Sequence, residues 1–465
     1  MIYRGDFVHS PKLGQVEILY DHVIEVKSEG FITHIAPAST AESIALLEDG
    51  SYYTLPKGVF FTPTFCDLHL HAPQFLYQGT GLHLPLMEWL NEYAFKAEER
   101  IDADPTLARI VYKRLAQRLL EHGTGAVVLF GTIKEQTNLI LAEAMQEAGI
   151  RAYIGKLSMD ISSRKTYVEA SHEHSLEAAS SFVDKCLELT KDLLFHEKLV
   201  EPILTPRFVP TCSDKLLAGL GQLSESKQLR IQSHMAEAHD QVNWVKEERG
   251  IDDIEVFKKY GLLTPRTIQA HCTFLDLPSL ADVAQRGTAI AHCPLSNAYF
   301  SALPFRLREA LDSGVRVGLG TDIAGGYSVD IMNAMRQAVA VSRMREGSRI
   351  MGHFGTEDGN LAINWKDALY LATTGGAAAM GLPYEVGTFK VGAPFDVQQI
   401  HLFDADQQTS VGSLDLLDEE AKGSTWKLTL EHVEKWWCLG SVANRAVVWV
   451  QGRQRWPLAN KATWV

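Results

Sequence analysis

The stretch Val59-Phe60-Phe61-Thr62-Pro63-Thr64-Phe65-Cys66-Asp67-Leu68-His69-Leu70-His71 is an apolar run that finishes on two histidines two residues apart. In an extended strand, side chains at i and i+2 point to one face. His69 and His71 therefore reach one cation while Leu70 turns to the packing behind them. Alone the pair is a weak signal, since two histidines at a polar strand end read the same way. The chain carries its own control at His172-Glu173-His174, which has the same spacing among Ser, Glu and Ala at the entrance to a helix-like run. Residues two apart diverge on a helix, so that pair reads as solvated surface.

Further segments repeat the pattern of strand, then ligand, then helix. Arg230–Glu237 alternates in polarity and delivers His234, with Glu237 just beyond; Thr267–Phe274 delivers His271. Thr288–Asn297 delivers His292, and Val315–Asp322 runs into Asp322, after which Gly325 and Gly326 loosen the chain. Strand candidates at Ala126–Gly131, Ala152–Met159 and Glu201–Phe208 alternate with helical runs such as Pro105–Glu121 and Glu135–Ala148. With Phe61–His71 as the first, eight strand–helix units result, the count of a closed (β/α)8 TIM barrel. In that fold the chemistry sits at the carboxyl ends of the strands, where every candidate ligand falls.

Residues 1–62 read as short β pieces (Val16–Tyr20, His22–Lys27, Phe31–Ala36, Tyr52–Leu55) with no helix-length amphipathic pattern between them. The tail returns to β pieces at Asp396–His401 and Ala446–Val450. The expected architecture is α/β: a TIM-barrel hydrolase domain over 63–384, inserted between the two parts, 1–62 and 385–465, of a small β-sandwich domain.

A chain of 465 residues, 46% hydrophobic and 22% charged, can bury a sizeable core. Its formal net charge of −13 leaves no basic footprint for nucleic acid or anionic lipid, so a neutral small molecule is the expected partner. Six scattered cysteines, with no Cys-x-x-Cys pair, argue for a reducing compartment rather than a disulfide framework or a zinc knuckle. The segment Met1–His9 lacks an apolar signal core, and no stretch approaches the ~20 apolar residues of a membrane span. A soluble, cytoplasmic enzyme is expected.

Neutral imidazoles and a carboxylate suit zinc. Three histidines and an aspartate leave one position open for water, whose pKa such an ion lowers from ~16 toward ~7. Taken singly, His234 suits a hydrogen-bonded core histidine and Glu237 the first charge of a helix; placed beside the other strand ends, both read as functional. His271 and His292 occupy equivalent positions on successive strands. His271 is favoured beside the metal, with His292 in a supporting role. Asp322 as a helix N-cap ahead of Ser328–Arg343 is the poorer reading, because Gly325 and Gly326 intervene. The cytidine-type zinc site needs His-x-Glu and Pro-Cys-x-x-Cys; here His432-Val433-Glu434 stands without the second motif.

His69-Leu70-His71, His234, His271 and Asp322 resemble the mononuclear zinc pattern of the amidohydrolase superfamily. The flanks are similar to its guanine deaminase family: His71-Ala72-Pro73-Gln74, Glu88-Trp89-Leu90-Asn91, Thr205-Pro206-Arg207-Phe208, His292-Cys293-Pro294 with Ser296-Asn297, and Gly318-Leu319-Gly320-Thr321-Asp322. The likeness extends from the first β segments to Gly387-Thr388-Phe389 and Asp396. Two departures stand out. Ala236 and Ala238 flank Glu237 where the family usually has serine and asparagine, and Ser158 stands where cysteine is common.

The resemblance implies one Zn2+ per chain on His69, His71, His234 and Asp322, and hydrolysis of guanine to xanthine and ammonia. In that reading Glu237 shuttles protons, His271 and Asp322 orient the water, Gln74 and Arg207 hold the polar edge of the ring, and Phe208 packs on its face. A homodimer is the family expectation. The rival readings are an amidohydrolase for another amino-substituted heterocycle (purine, pterin or triazine) and a catalytically silent scaffold. The scaffold would be marked by a lost ligand, and none is lost.

Overall fold

The computed structural model describes residues 1–353, 359–404, 409–420, 422 and 426–457. Part of the expected 385–465 segment thus lies outside the described residues. The histidine-bearing strand runs Phe65–His71 (β1) and is buried throughout. It is followed by Thr124–Phe130 (β2), Arg151–Gly155 (β3), Val200–Pro202 (β4), Ile231–Met235 (β5), Thr267–His271 (β6), Ala289–His292 (β7) and Arg316–Leu319 (β8). Two four-stranded parallel sheets form, in the orders β4-β3-β2-β1 and β5-β6-β7-β8.

Hydrogen bonds join the two sheets on both sides. Leu204 N donates to Arg230 O and Gln232 N to Leu204 O, while Asp322 N donates to His69 O and His71 N to Ile323 O. The single strands expected at Ala152–Met159 and Glu201–Phe208 are each interrupted. Leu157–Ser158 and Thr205–Pro206 form a separate parallel pair beyond β3 and β4. Pro202, at the break in the second, has no N–H for the ladder.

The helix Pro105–Glu121 starts where Asp104 accepts from Thr106 N and Leu107 N and Pro105 fills the first turn. It buries Ala108, Val111, Tyr112, Leu115 and Leu119, one apolar stripe, against its neighbours. Glu135–Ala148 ends at Gly149, whose φ of 77° closes the helix in the left-handed conformation. Among the described residues no helix is long and apolar enough to cross a membrane.

Strands from both ends of the chain share one sheet, in the order Arg453–Trp456, Arg445–Val450, Val397–His401, Val59–Pro63, Ile2–His9, Glu17–Val26, Ile32–Pro37, with Tyr53–Thr54 beside Ile2–His9. Aromatic rings fill its own core; Tyr3 stacks on Phe395 at 5.3 Å and Phe61 meets Trp449 edge-on at 5.3 Å. Arg151, at the start of β3, reaches this sheet through Asp396, with Nε to Oδ2 at 2.5 Å and Nη2 to Oδ1 at 3.1 Å. The reading of residues 1–62 as β pieces alone misses the helix Ala41–Asp49. Its Ile44 is exposed, so no apolar stripe marks it; it is set instead by the Thr40 side chain accepting from Ser43 N and by Glu42 in the first turn.

Candidate active site

The carboxyl ends of β1, β5, β6 and β8 bring His69, His71, His234, His271 and Asp322 together, all buried. His71 Nε2 lies 2.9 Å from His234 Nε2, and His69 Nε2 3.2 Å from Asp322 Oδ1. His271 Nε2 is 3.8 Å from Asp322 Oδ2 and 3.5 Å from Glu237 Oε1. Two overlapping ligand sets result, His69-His71-His234 and His69-His271-Asp322, each with donor atoms within 4.8 Å of one another.

The electrostatics favour a cation. Burial pushes the pKa values of His69, His71 and His234 well down and that of His271 down, so the imidazoles are neutral and keep a lone pair. His234 Nδ1 donates to the Arg207 carbonyl at 2.6 Å, which leaves Nε2 as the lone-pair nitrogen facing His71 Nε2. His69 Nε2 and His271 Nε2, both buried, have no hydrogen-bond partner. Buried lone pairs that converge without donors are costly unless a cation takes them, and imidazole with carboxylate is a donor set for a divalent metal such as zinc.

The backbone around these ligands is held in an uncommon region. Ala236 (φ 48°), His271 (φ 68°), Cys272 (φ 53°) and Asp322 (φ 50°) are left-handed without being glycine, a conformation costing on the order of 1–3 kcal/mol each. Each turn is tied down: Ala236 N donates to buried Asp253, Cys272 N to Met235 O, and Asp322 N to His69 O. Asp322 does not cap a helix; Asp330 caps Ile331–Ile350 through Met332 N.

Glu237 is buried beside this cluster. Its N–H donates to Gln241 Oε1 at 3.0 Å and its carbonyl accepts from Ser301 Oγ, so its position does not depend on its carboxyl group. Burial, with the Asp322 charge adding, raises its pKa well above the ordinary carboxyl range, which makes it a group that holds a proton and can pass it on. The departures have visible consequences. Ala238 begins the helix His239–Arg249 with no side-chain cap, and Ser158 Oγ is buried without a partner.

Gln74, Arg207 and Phe208 line one cavity with His71, His234, Glu237 and Asp322; Leu86, Trp89, Leu90 and Phe300 form its other walls. The free space is about 20 Å³, room for about one water. Short π-helical turns at Leu90–Ala94 and Asn297–Ser301 flank these walls.

The sequence reading misses Glu98, on the helix Phe95–Ala103, whose carboxylate touches both Gln74 and Arg207. A signal was present: Phe95, Glu98 and Ile101, three apart, share the buried face, and a carboxylate there needs a partner. His292 ends β7 outside the ligand cluster; its ring packs 5.2 Å from Phe305 and its Nδ1 has no partner. Asn297, five residues on, accepts from His271 Nδ1 at 3.0 Å. His172 and His174 lie on the first turn of the helix His172–Leu189, away from the cluster.

Residues 60–454 match the amidohydrolase family. The guanine deaminase of Dictyostelium discoideum is 36% identical over 417 residues, covering 86% of this chain and 89% of that protein. The guanine deaminase of Mus musculus is 34% identical over 465 residues, 99% of this chain and 97% of that one. The crystal structure of guanine deaminase from C. acetobutylicum with bound guanine in the active site superposes with a TM-score of 0.84 at 28% identity, covering 97% of this chain and 99% of that chain.

Proposed function

We propose, from the premise that this chain belongs to the guanine deaminase family of amidohydrolases, that it hydrolyses guanine to xanthine and ammonia. One zinc per chain, on His69, His71, His234 and Asp322, completes the reading, and their neutral, buried, converging donors support it. Such an ion supplies Lewis acidity, lowering the pKa of water from ~16 toward ~7. His271 and Asp322 hold the attacking water. Glu237 takes its proton and passes it to ring N3, which makes C2 electrophilic. The C2–O bond forms, Glu237 takes the second proton from the new C2 hydroxyl and delivers it to the exocyclic amine, and the C2–N bond breaks to leave the C2 carbonyl and release ammonia. Gln74 and Arg207 hold the polar edge of the ring and Phe208 its face.

The observation that carries the substrate is Arg207 Nη2, a buried donor without a partner, in the cavity that also holds Glu237. A ring carbonyl satisfies it; the amine that adenine presents at the same place does not. The architecture belongs to the same proposal: eight strands closed as a (β/α)8 barrel over 63–384, with 1–62 and 385–465 as the two parts of a β-sandwich. So do the homodimeric, cytoplasmic state and the separate supporting role of His292.

The test is ammonia release from a panel of guanine, adenine, cytosine, a pterin and an aminotriazine, on purified protein of measured metal content. Guanine is expected to be the substrate, with no appreciable release from adenine or cytosine. A preference for a triazine or another base overturns the substrate while leaving the metal site standing.

A further inference from the structure

Glu98 sits one layer behind the proposed ring-binding edge. Its fully buried carboxylate accepts from Gln74 Nε2 at 3.0 Å through Oε1 and from Arg207 Nη1 at 2.5 Å through Oε2, joining residues 24 and 109 positions away. A buried ion pair adds little stability over apolar side chains of the same volume. What the pair does supply is orientation. The guanidinium is a rigid planar fork; with Nη1 on Glu98 and its face over the Phe95 ring at 4.8 Å, Nη2 remains as the buried donor without a partner. Burial alone would lower the Arg207 pKa, but the Glu98 charge and hydrogen bond hold it above its ordinary value, so the fork stays charged. Gln74 is constrained in the same way. A carboxylate only accepts, so Nε2 must face Glu98, and Oε1 accepts from Ala324 N at 3.1 Å.

We infer that Glu98 is a positioning residue that aims Arg207 Nη2, and fixes the Gln74 amide, toward an oxo-bearing edge of the ring, and thereby sets the preference for 6-oxopurines over purines bare at that position. The inference rests on the proposed site reading, but its test does not need turnover.

Hypoxanthine and purine differ only at position 6 and in the N1 proton that accompanies the oxo group. Their Kd values are measured by calorimetry on metal-loaded wild type and on Glu98→Gln, with metal content and thermal melting alongside. The amide of that variant can accept from one of the two partners but presents N–H groups to the other. The wild type is expected to prefer hypoxanthine by roughly 10- to 150-fold, the weight of one hydrogen bond to a charged group. In Glu98→Gln the preference falls below about threefold while the purine Kd stays within about threefold of wild type.

An unchanged preference in the variant overturns the inference. So does a parallel loss of both ligands at constant ratio, which is the mark of a merely structural role, or a wild type with no preference. If Glu98→Gln does not accumulate folded, Glu98→Asp takes its place: it keeps the charge but, one methylene shorter, spans only one partner, and the same ratio decides. A wild type inert toward guanine whose 6-oxo preference still collapses in the variant refutes the substrate alone. Guanine turnover with the preference intact in the variant refutes the Glu98 inference alone.

Discussion

Replacing Glu237 by glutamine separates proton transfer from everything else this residue does. Its backbone is anchored by Gln241 and Ser301, and its carboxyl oxygen stands 3.5 Å from His271 Nε2, too far for a strong hydrogen bond, so an amide of the same size leaves the geometry in place. What disappears is the proposed capacity to take a proton from water and return it to the ring and the leaving amine. A lost acid–base group costs ~10²-fold or more in turnover, or at least about 2.7 kcal/mol of transition-state stabilisation. Stability moves the other way. Burial, then Asp322, raise the Glu237 pKa above its ordinary 4.5, so its contribution to folding is full below that value and is lost as pH rises through the folded one. Glutamine does not titrate, and the metal-free variant should melt at or above the wild-type temperature at pH 7–8. The assay is kcat and KM for ammonia release, with metal content and a melt on the same preparation. Turnover within about threefold of wild type, or loss of metal together with activity, refutes the assignment.

Arg207→Ala should lower kcat/KM for guanine by the ~1.5–3 kcal/mol of a charged hydrogen bond. It should also destabilise the fold by about 3–5 kcal/mol, because Glu98 is left buried and unpaired; urea melts in which Glu98→Gln added to that variant restores no stability contradict the pairing. Chelation should remove about one metal ion per chain together with activity, and two tightly held ions found by mass spectrometry defeat the mononuclear site. Burial pushes His292 from 6.5 down to about 3. Its contribution is therefore present above pH 6.5 and lost as pH falls toward 3, at about 1.4 kcal/mol per unit; His292→Asn should lose stability less steeply on acidification, and identical slopes rule this out. Guanine binding should change the emission of Trp89, whose ring meets Phe300 at 5.0 Å in the cavity wall; a spectrum that responds equally in Trp89→Phe shows that guanine does not bind against this wall.

Short-range geometry made much of this protein legible in one dimension. Alternation over Phe65–His71 put His69 and His71 on one face, and the repeated order of strand then ligand collected His234, His271 and Asp322 at strand ends. The helix Pro105–Glu121 was marked by its own cap, proline and apolar stripe. All of these are properties of residues within a few positions of one another, and they survive whatever the chain packs against. The helix Ala41–Asp49 escaped because it buries no stripe, leaving its cap as the local sign. Tertiary structure alone decided which distant groups meet. It set the strand order in the sheet that the two chain ends share, turned His234 Nε2 toward His71 by giving Nδ1 to the Arg207 carbonyl, and set Glu98 against Gln74 and Arg207. A buried carboxylate announces that it needs partners. Which partners it finds depends on the three-dimensional path of the chain between them, because hydrogen bonds and desolvation act through distances that no local periodicity records.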